Sequence, residues 1–218
     1  MLIHDVPRSQ GVANALKRAR QMTEFQWTPE KKCPVGLFLL EPTKRTFVGT
    51  HFPAFHPQKG LLYSSVRNLE KFIGYNVSLE TFVSALANPD SVVYTKPQLF
   101  GGMRNYYGII CTVFVGYALN TPMRKACYCW PYDSHVTPVD SSDLNNLQLC
   151  DIVLDPTRHI AMVTDIERNE NGDVCYITVS EGTLPLCRVT RFTPKEFRGY
   201  WLESGYRILR HDGLDDVP

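Results

Sequence analysis

Apolar positions recur with a helical period near the start of the chain. Val12, Ala15, Leu16, Ala19 and Met22 follow one another at i, i+3, i+4, i+7 and i+10, while Lys17, Arg18 and Arg20 fall on the opposite side. Ser9 stands where its hydroxyl can cap that helix. Between Trp27 and Pro57 the chain turns rich in proline and aromatic residues, and two apolar runs, 35–40 (VGLFLL) and 46–48, predict strands joined by loops. Two short helices are predicted next. One opens at Ser64 or Ser65, carries Val66, Leu69, Phe72 and Ile73 on one side and ends at Gly74; the other is capped by Ser78 and carries Leu79, Phe82, Val83 and Leu86. A Gly-Gly and aromatic loop, 101–108, leads into CTVFVGYALN, where Cys111, Phe114, Val115 and Ala118 share a helical face. Cys111 therefore begins a helix.

The period changes in the last third. CDIVLD (150–155), HIAMVTDI (159–166), VCYITVS (174–180) and YRILR (206–210) are short, β-branched and broken by turn residues, as strands are. Helices first and strands after, with no alternation, predict an α+β fold with an antiparallel sheet packed against a helical layer.

Composition narrows the function classes. The 218 residues, 44% of them hydrophobic, suffice for one well-filled core, so a single domain over 1–218 is expected, with 1–58 as a helix and strand/loop elaboration and 59–210 as the core. A net charge of +1, scattered along the chain, lacks the long-range field of a nucleic-acid or acidic-membrane binder, and neither partner is expected. No run approaches the roughly 18 apolar residues of a spanning helix. The N-terminus MLIHDVPRSQ lacks the basic-then-apolar order of a secretion signal, so the chain as written is expected in the cytoplasm, or outside the cell if a leader has been removed. Oligomeric state is not legible.

Seven cysteines, at 33, 111, 127, 129, 150, 175 and 187, are an odd number in a mid-sized chain, unlike a dense disulfide framework. Cys127, Cys129, Cys150, Cys175, Cys187 and His135 offer zinc ligands, but one residue separates Cys127 from Cys129 where zinc knuckles use two to four, and no second pair follows. No metal or other cofactor is expected. Tyr128 and Trp130, interleaved with these cysteines, read as a packed turn.

Reactive chemistry centres on Cys111. A thiol attacks carbonyls as its thiolate, and a helix N-terminus supplies partial positive charge and free N–H groups that stabilise thiolate and oxyanion alike. A buried structural cysteine is the plainer explanation of that residue alone, and a nearby base changes the balance. His159 opens a strand after the turn Asp155-Pro156-Thr157-Arg158, where a polar side chain can face a cleft while its neighbours are buried. A third group should orient the imidazole, and Ser180 and Glu181 are the candidates. The strands around Asn169–Gly172 look like one hairpin. A two-residue Asn171-Gly172 turn puts Ser180 on the His159 face, whereas a three- or five-residue loop centred on Glu170 sets Glu181 directly opposite His159.

The order YYGIICTVFVGYAL, then LCDIVLDPTRHIAMVTDI, then YITVSEGT resembles the NlpC-type and CHAP-type papain-like cysteine peptidases and amidases over roughly residues 60–183. The resemblance implies Cys111 as nucleophile, His159 as base and Glu181 as the orienting acid. Through ITVSEGT it favours Glu181 over Ser180, with Thr183 also at the site, and GLLYSS is similar to the Pro-Tyr of NlpC-type sites, which implies Tyr63 in the lining; Thr112 and Ser180 complete the candidate lining. The implied activity is hydrolysis of a peptide or amide bond through a thioester acyl-enzyme, with peptidoglycan-derived peptide among the substrates. Departures from the family pattern are Ile110 for its Asp, Thr112 for its Ser and Val113 for its Gly, which puts recognition of a wall-peptide amine in doubt. The alternative function is a catalytically lapsed papain-like binding module.

Overall fold

Ser9 caps the first helix: its hydroxyl accepts the Val12 N–H at 3.1 Å and donates to the Leu214 carbonyl at 3.1 Å. The structure, a computed structural model, describes residues 1–40, 45–63, 79–95, 108–121 and 126–214. Its helices are α1 (Gln10–Thr23), α2 (Leu79–Leu86), α3 (Val92–Thr95), α4 (Cys111–Ala118) and α5 (Pro194–Phe197). Its strands are β1 (Ile3–His4), β2 (Gln26–Trp27), β3 (Cys33–Leu40), β4 (Arg45–Phe52), β5 (Gln58–Lys59), β6 (Val136–Pro138), β7 (Ile152–Asp155), β8 (His159–Arg168), β9 (Val174–Glu181), β10 (Arg188–Phe192) and β11 (Arg207–His211).

The chain forms two compact units, one of Met1–Gln21, Cys111–Glu181 and Arg188–Pro218, the other of Met22–Ile110 and Gly182–Cys187. This division runs across the expected 1–58 and 59–210 segments. In the first unit an antiparallel sheet has the order β10-β9-β8-β7-β11-β6, with β1 added along β8. Helix and antiparallel sheet are mixed, as the pattern predicts.

Burial explains the sequences of the central strands. β7 is buried at every position, and Ile160, Ala161, Met162 and Val163 of β8 are each 0% exposed, so these strands read as continuous apolar runs. α4 lies against β8 and β9 and is buried along nearly its whole length. Its last carbonyl, Ala118, accepts from Arg18 Nε of α1 at 2.8 Å, a cation placed at the negative end of the helix.

In the second unit the two apolar runs are strands, as the pattern predicts; they are β3 and β4, paired antiparallel, and β2 pairs with β5. Trp27, Cys33, Phe52, Leu62, Phe82, Leu86 and Val93 form its core. Gly60 has φ +100°, and a Cβ there would lie 2.1 Å from the Cys187 carbonyl oxygen, so only glycine fits this crossing. The predicted helix at 64–74 and residues 101–107 of the Gly-aromatic loop lie outside the described residues. β10 and α5 carry no strong periodicity and were not predicted, while the packed turn read around Tyr128 and Trp130 is a 3₁₀ turn, Cys127–Tyr132. Among the described residues no helix is long and apolar enough to cross a membrane.

Candidate active site

His159 enters β8 from a rigid corner. Asp155 accepts from the Thr157 N–H at 2.8 Å, the Thr157 hydroxyl at 2.7 Å and Arg158 Nε at 2.5 Å, and it pairs with His159 across β7 and β8. Burial pushes the Asp155 carboxyl up, but these donors outweigh it and bring the pKa down to about 2. The corner thus stays charged and closed around neutral pH.

The β8–β9 hairpin keeps the register of the two-residue Asn171-Gly172 turn only in its middle, where Asp165, Ile166 and Glu167 face Thr178, Ile177 and Tyr176, and follows neither expected register at its ends. Its loop is 170–172, closed by the Asn169 N–H on the Asp173 carbonyl, with Gly172 at φ +88°. The loop has an odd number of residues but is centred on Asn171, not Glu170. Two β-bulges follow, one leaving Cys175 unpaired on β9 and one leaving Thr164 unpaired on β8. Each bulge reverses which residues share a face, so the two cancel by the open end, where Met162 pairs with Ser180. Continued one step, this pairing sets Glu181 beside Ala161, on the His159 face but diagonal to the ring, within reach of a long side chain.

There the Glu181 carboxylate accepts the protonated ring's Nε2–H at 2.6 Å through Oε2, and Arg188 Nε at 2.7 Å through Oε1. Glu181 is 3% exposed. Burial alone would raise its carboxyl, yet His159 and Arg188 together hold it below the ordinary range. Trp201 stacks on His159, with ring centroids 6.2 Å apart and planes within 10°. One face and one edge of the imidazole are therefore fixed, leaving Nδ1 for the nucleophile.

Cys111, the first residue of α4, hydrogen-bonds the His159 ring. Its thiolate accepts from the Cys127 thiol, whose sulfur is 4.0 Å away, from His159 and from the Ile160 N–H; against the opposing effect of burial these donors hold the Cys111 pKa well below that of a free thiol. The His159 ring responds in the opposite sense. Burial depresses it, but Cys111 and Glu181 raise it to about 9. The arrangement favours a thiolate–imidazolium pair, with a carboxylate behind the ring and the first N–H groups of α4 beside the sulfur.

The structure thus brings Cys111, His159 and Glu181 together. Thr112 is buried next to Cys111 on α4. Ser180 is 2% exposed, and its hydroxyl shares a 2.8 Å hydrogen bond with that of Thr164 on the face away from His159. Tyr63 and Thr183 belong to the second unit, both half-buried, Tyr63 bridging to Ile109. Sequence reasoning missed Arg188, Trp201 and the role of Cys127. Arg188 was hidden because β10 is mostly exposed and shows no apolar alternation. Cys127 was assigned to a packed turn; it is half-buried and turned to the nucleophile.

None of the seven cysteines, all among the described residues, is in a disulfide. Among the described residues the cluster of three ligating groups within 4.8 Å of one another is His4, Asp165 and Glu167. Arg191 already grips the Glu167 carboxylate at 2.6 and 2.8 Å and His4 bonds Asp165 at 2.8 Å, so these groups satisfy one another. No family model, curated protein or solved structure matches the chain.

Proposed function

We propose that this chain is a cysteine hydrolase of the papain-like, NlpC-type class with CHAP-like features, cleaving a peptide or amide bond through a thioester acyl-enzyme. The observation that carries the reading is the continuous chain of contacts from Cys111 through His159 to Glu181 and Arg188. A core sheet with the cysteine-bearing helix laid against it also supports it.

Chemically, the Cys111 thiolate adds to the carbonyl carbon and the new oxyanion falls to N–H groups at the start of α4. The imidazolium then gives its Nδ1 proton to the leaving amine as the C–N bond breaks, leaving a thioester and a neutral ring. Water, deprotonated by that ring, attacks the thioester and returns the thiolate. Glu181 stays ionised throughout and holds the ring by Nε2. Ile110, in the place of the family's substrate-reading Asp, leaves peptidoglycan fragments as one candidate substrate beside other peptides and simple amides.

The test is to incubate the protein with peptidoglycan fragments, peptides and simple amides and to identify products by mass, with Cys111→Ala as control. Cleavage by the wild type alone supports the reading. A Cys111 that labels readily with a thiol probe near neutral pH, yet cleaves nothing in a broad panel, would turn it toward the lapsed binding module.

A further inference from the structure

Hydrolysis needs one sulfur, and the site holds two. The Cys111 and Cys127 sulfurs are 4.0 Å apart, Cys111 at the start of α4 and Cys127, 16 positions further along the chain, at the start of the 3₁₀ turn Cys127–Tyr132. That separation is close to van der Waals contact, about 2 Å longer than a disulfide bond. Cys129 does not substitute for Cys127: at three residues per turn in a 3₁₀ helix, a residue two positions on points to another side.

We propose that Cys111 and Cys127 are a site of reversible oxidative modification by peroxides, Cys111 being oxidised first and Cys127 resolving it as an intramolecular disulfide. The proposal concerns the two sulfurs and stands whether or not the site hydrolyses amides.

The chemistry balances with hydrogen peroxide as oxidant. The Cys111 thiolate attacks one peroxide oxygen, the S–O bond forms as the O–O bond breaks, and the departing hydroxide takes a proton and leaves as water. Sulfur is oxidised by two electrons to the sulfenic acid and the peroxide is reduced. Cys127 then attacks the Cys111 sulfur; the S–S bond forms, the S–O bond breaks, and the leaving hydroxide combines with the Cys127 proton as a second water.

The two sulfurs exchange roles for a physical reason. While Cys111 is anionic, its hydrogen bond with Cys127, followed by burial of that thiol, keeps the Cys127 proton in place. Once Cys111 is a neutral sulfenic acid, the anion that held that proton is gone and Cys127 becomes easier to ionise at the moment it is needed. Cys111 is 7% exposed and Cys127 half-buried, which favours an oxidant of two heavy atoms over bulky disulfides.

The experiment is to expose the full chain to graded hydrogen peroxide, block remaining thiols and map peptides without reduction. The expected result is a Cys111–Cys127 cross-link, with Cys111 alkylation lost on oxidation and returned by dithiothreitol. In Cys127→Ser, Cys111 should instead be captured by dimedone as the sulfenic acid and pass on to a sulfinic acid that dithiothreitol does not reverse. A cross-link to Cys129, or oxidised Cys111 in the wild type without any cross-link, overturns the proposal. If Cys127→Ser fails to fold, the wild-type map and that of Cys129→Ser, which should keep the cross-link, decide it.

Discussion

The two long hairpins of this chain are built to different rules. In β3–β4, pairing runs without a shift from Cys33–Phe52 to Leu40–Arg45, one residue per strand at each step. In β8–β9 the pairing slips at Cys175 and again at Thr164. A regular β8–β9 ladder closed by the same 170–172 loop would place Asp165 and Glu167 on the face of His159. The paired bulges turn those acids to the other side, where His4 and Arg191 take them, and bring Ile166 onto the nucleophile's face beside Val163. Ile166 and Val163 are both 0% exposed. A hairpin carrying an acid and a base at its open end thus keeps one carboxylate with the histidine and diverts two others.

That contrast is open to attack from several sides. The largest expected effect is that of Cys111→Ala, which should lower turnover by more than about 10³-fold with an unchanged melting curve, because the thiolate forms the covalent bond. Retained activity in that variant would mean that the face arranged by the bulges is not where the chemistry occurs.

Next comes Glu181→Gln, which keeps an acceptor and removes the charge. Activity should fall at least about tenfold, the scale of 1.4 kcal/mol, and the Cys111 thiolate titration should move upward. The reverse ordering, Ser180→Ala inactive and Glu181→Gln near wild type, would overturn the assignment of faces.

Rate against pH sharpens the same point. Activity should rise as pH climbs through the lowered Cys111 pKa, and fall again as pH passes about 9, where His159 loses the proton it must give the leaving group. Since Glu181 helps raise the His159 pKa, the alkaline limb should shift to lower pH in Glu181→Gln. An alkaline limb that stays put would deny the contact its electrostatic role. The smallest effect is expected for Ser180→Ala, which removes the hydrogen bond to Thr164 beside the bulge: about 1 kcal/mol of stability by denaturant titration, with little change in rate.

Legibility in the sequence follows the range of the interactions. Ser9, the apolar stripe of α1, the strands at 35–40 and 46–48 and the helix start at Cys111 rest on neighbours a few residues apart, and pattern alone locates them. Glu181 was identified, but the register offered for it was wrong: the loop is centred one residue later and two bulges intervene, and no local signal at Cys175 or Thr164 announces them. Arg188 and Cys127 reach the site across β9–β10 and from the turn after α4, contacts set by the packing of elements with weak periodicity.

The stacking of Trp201 on His159 has an optical consequence. A protonated imidazole in face contact with an indole takes an electron from the excited ring and quenches its emission, whereas the neutral imidazole does so far less. Trp201, one of three tryptophans in the chain, therefore carries a built-in read-out of the His159 proton. Its fluorescence should be dim while His159 is charged and brighten as pH passes about 9. With Trp201 the sole indole left to excite, formation of the acyl-enzyme would appear as a flash of emission, since the ring gives up its proton to the departing amine.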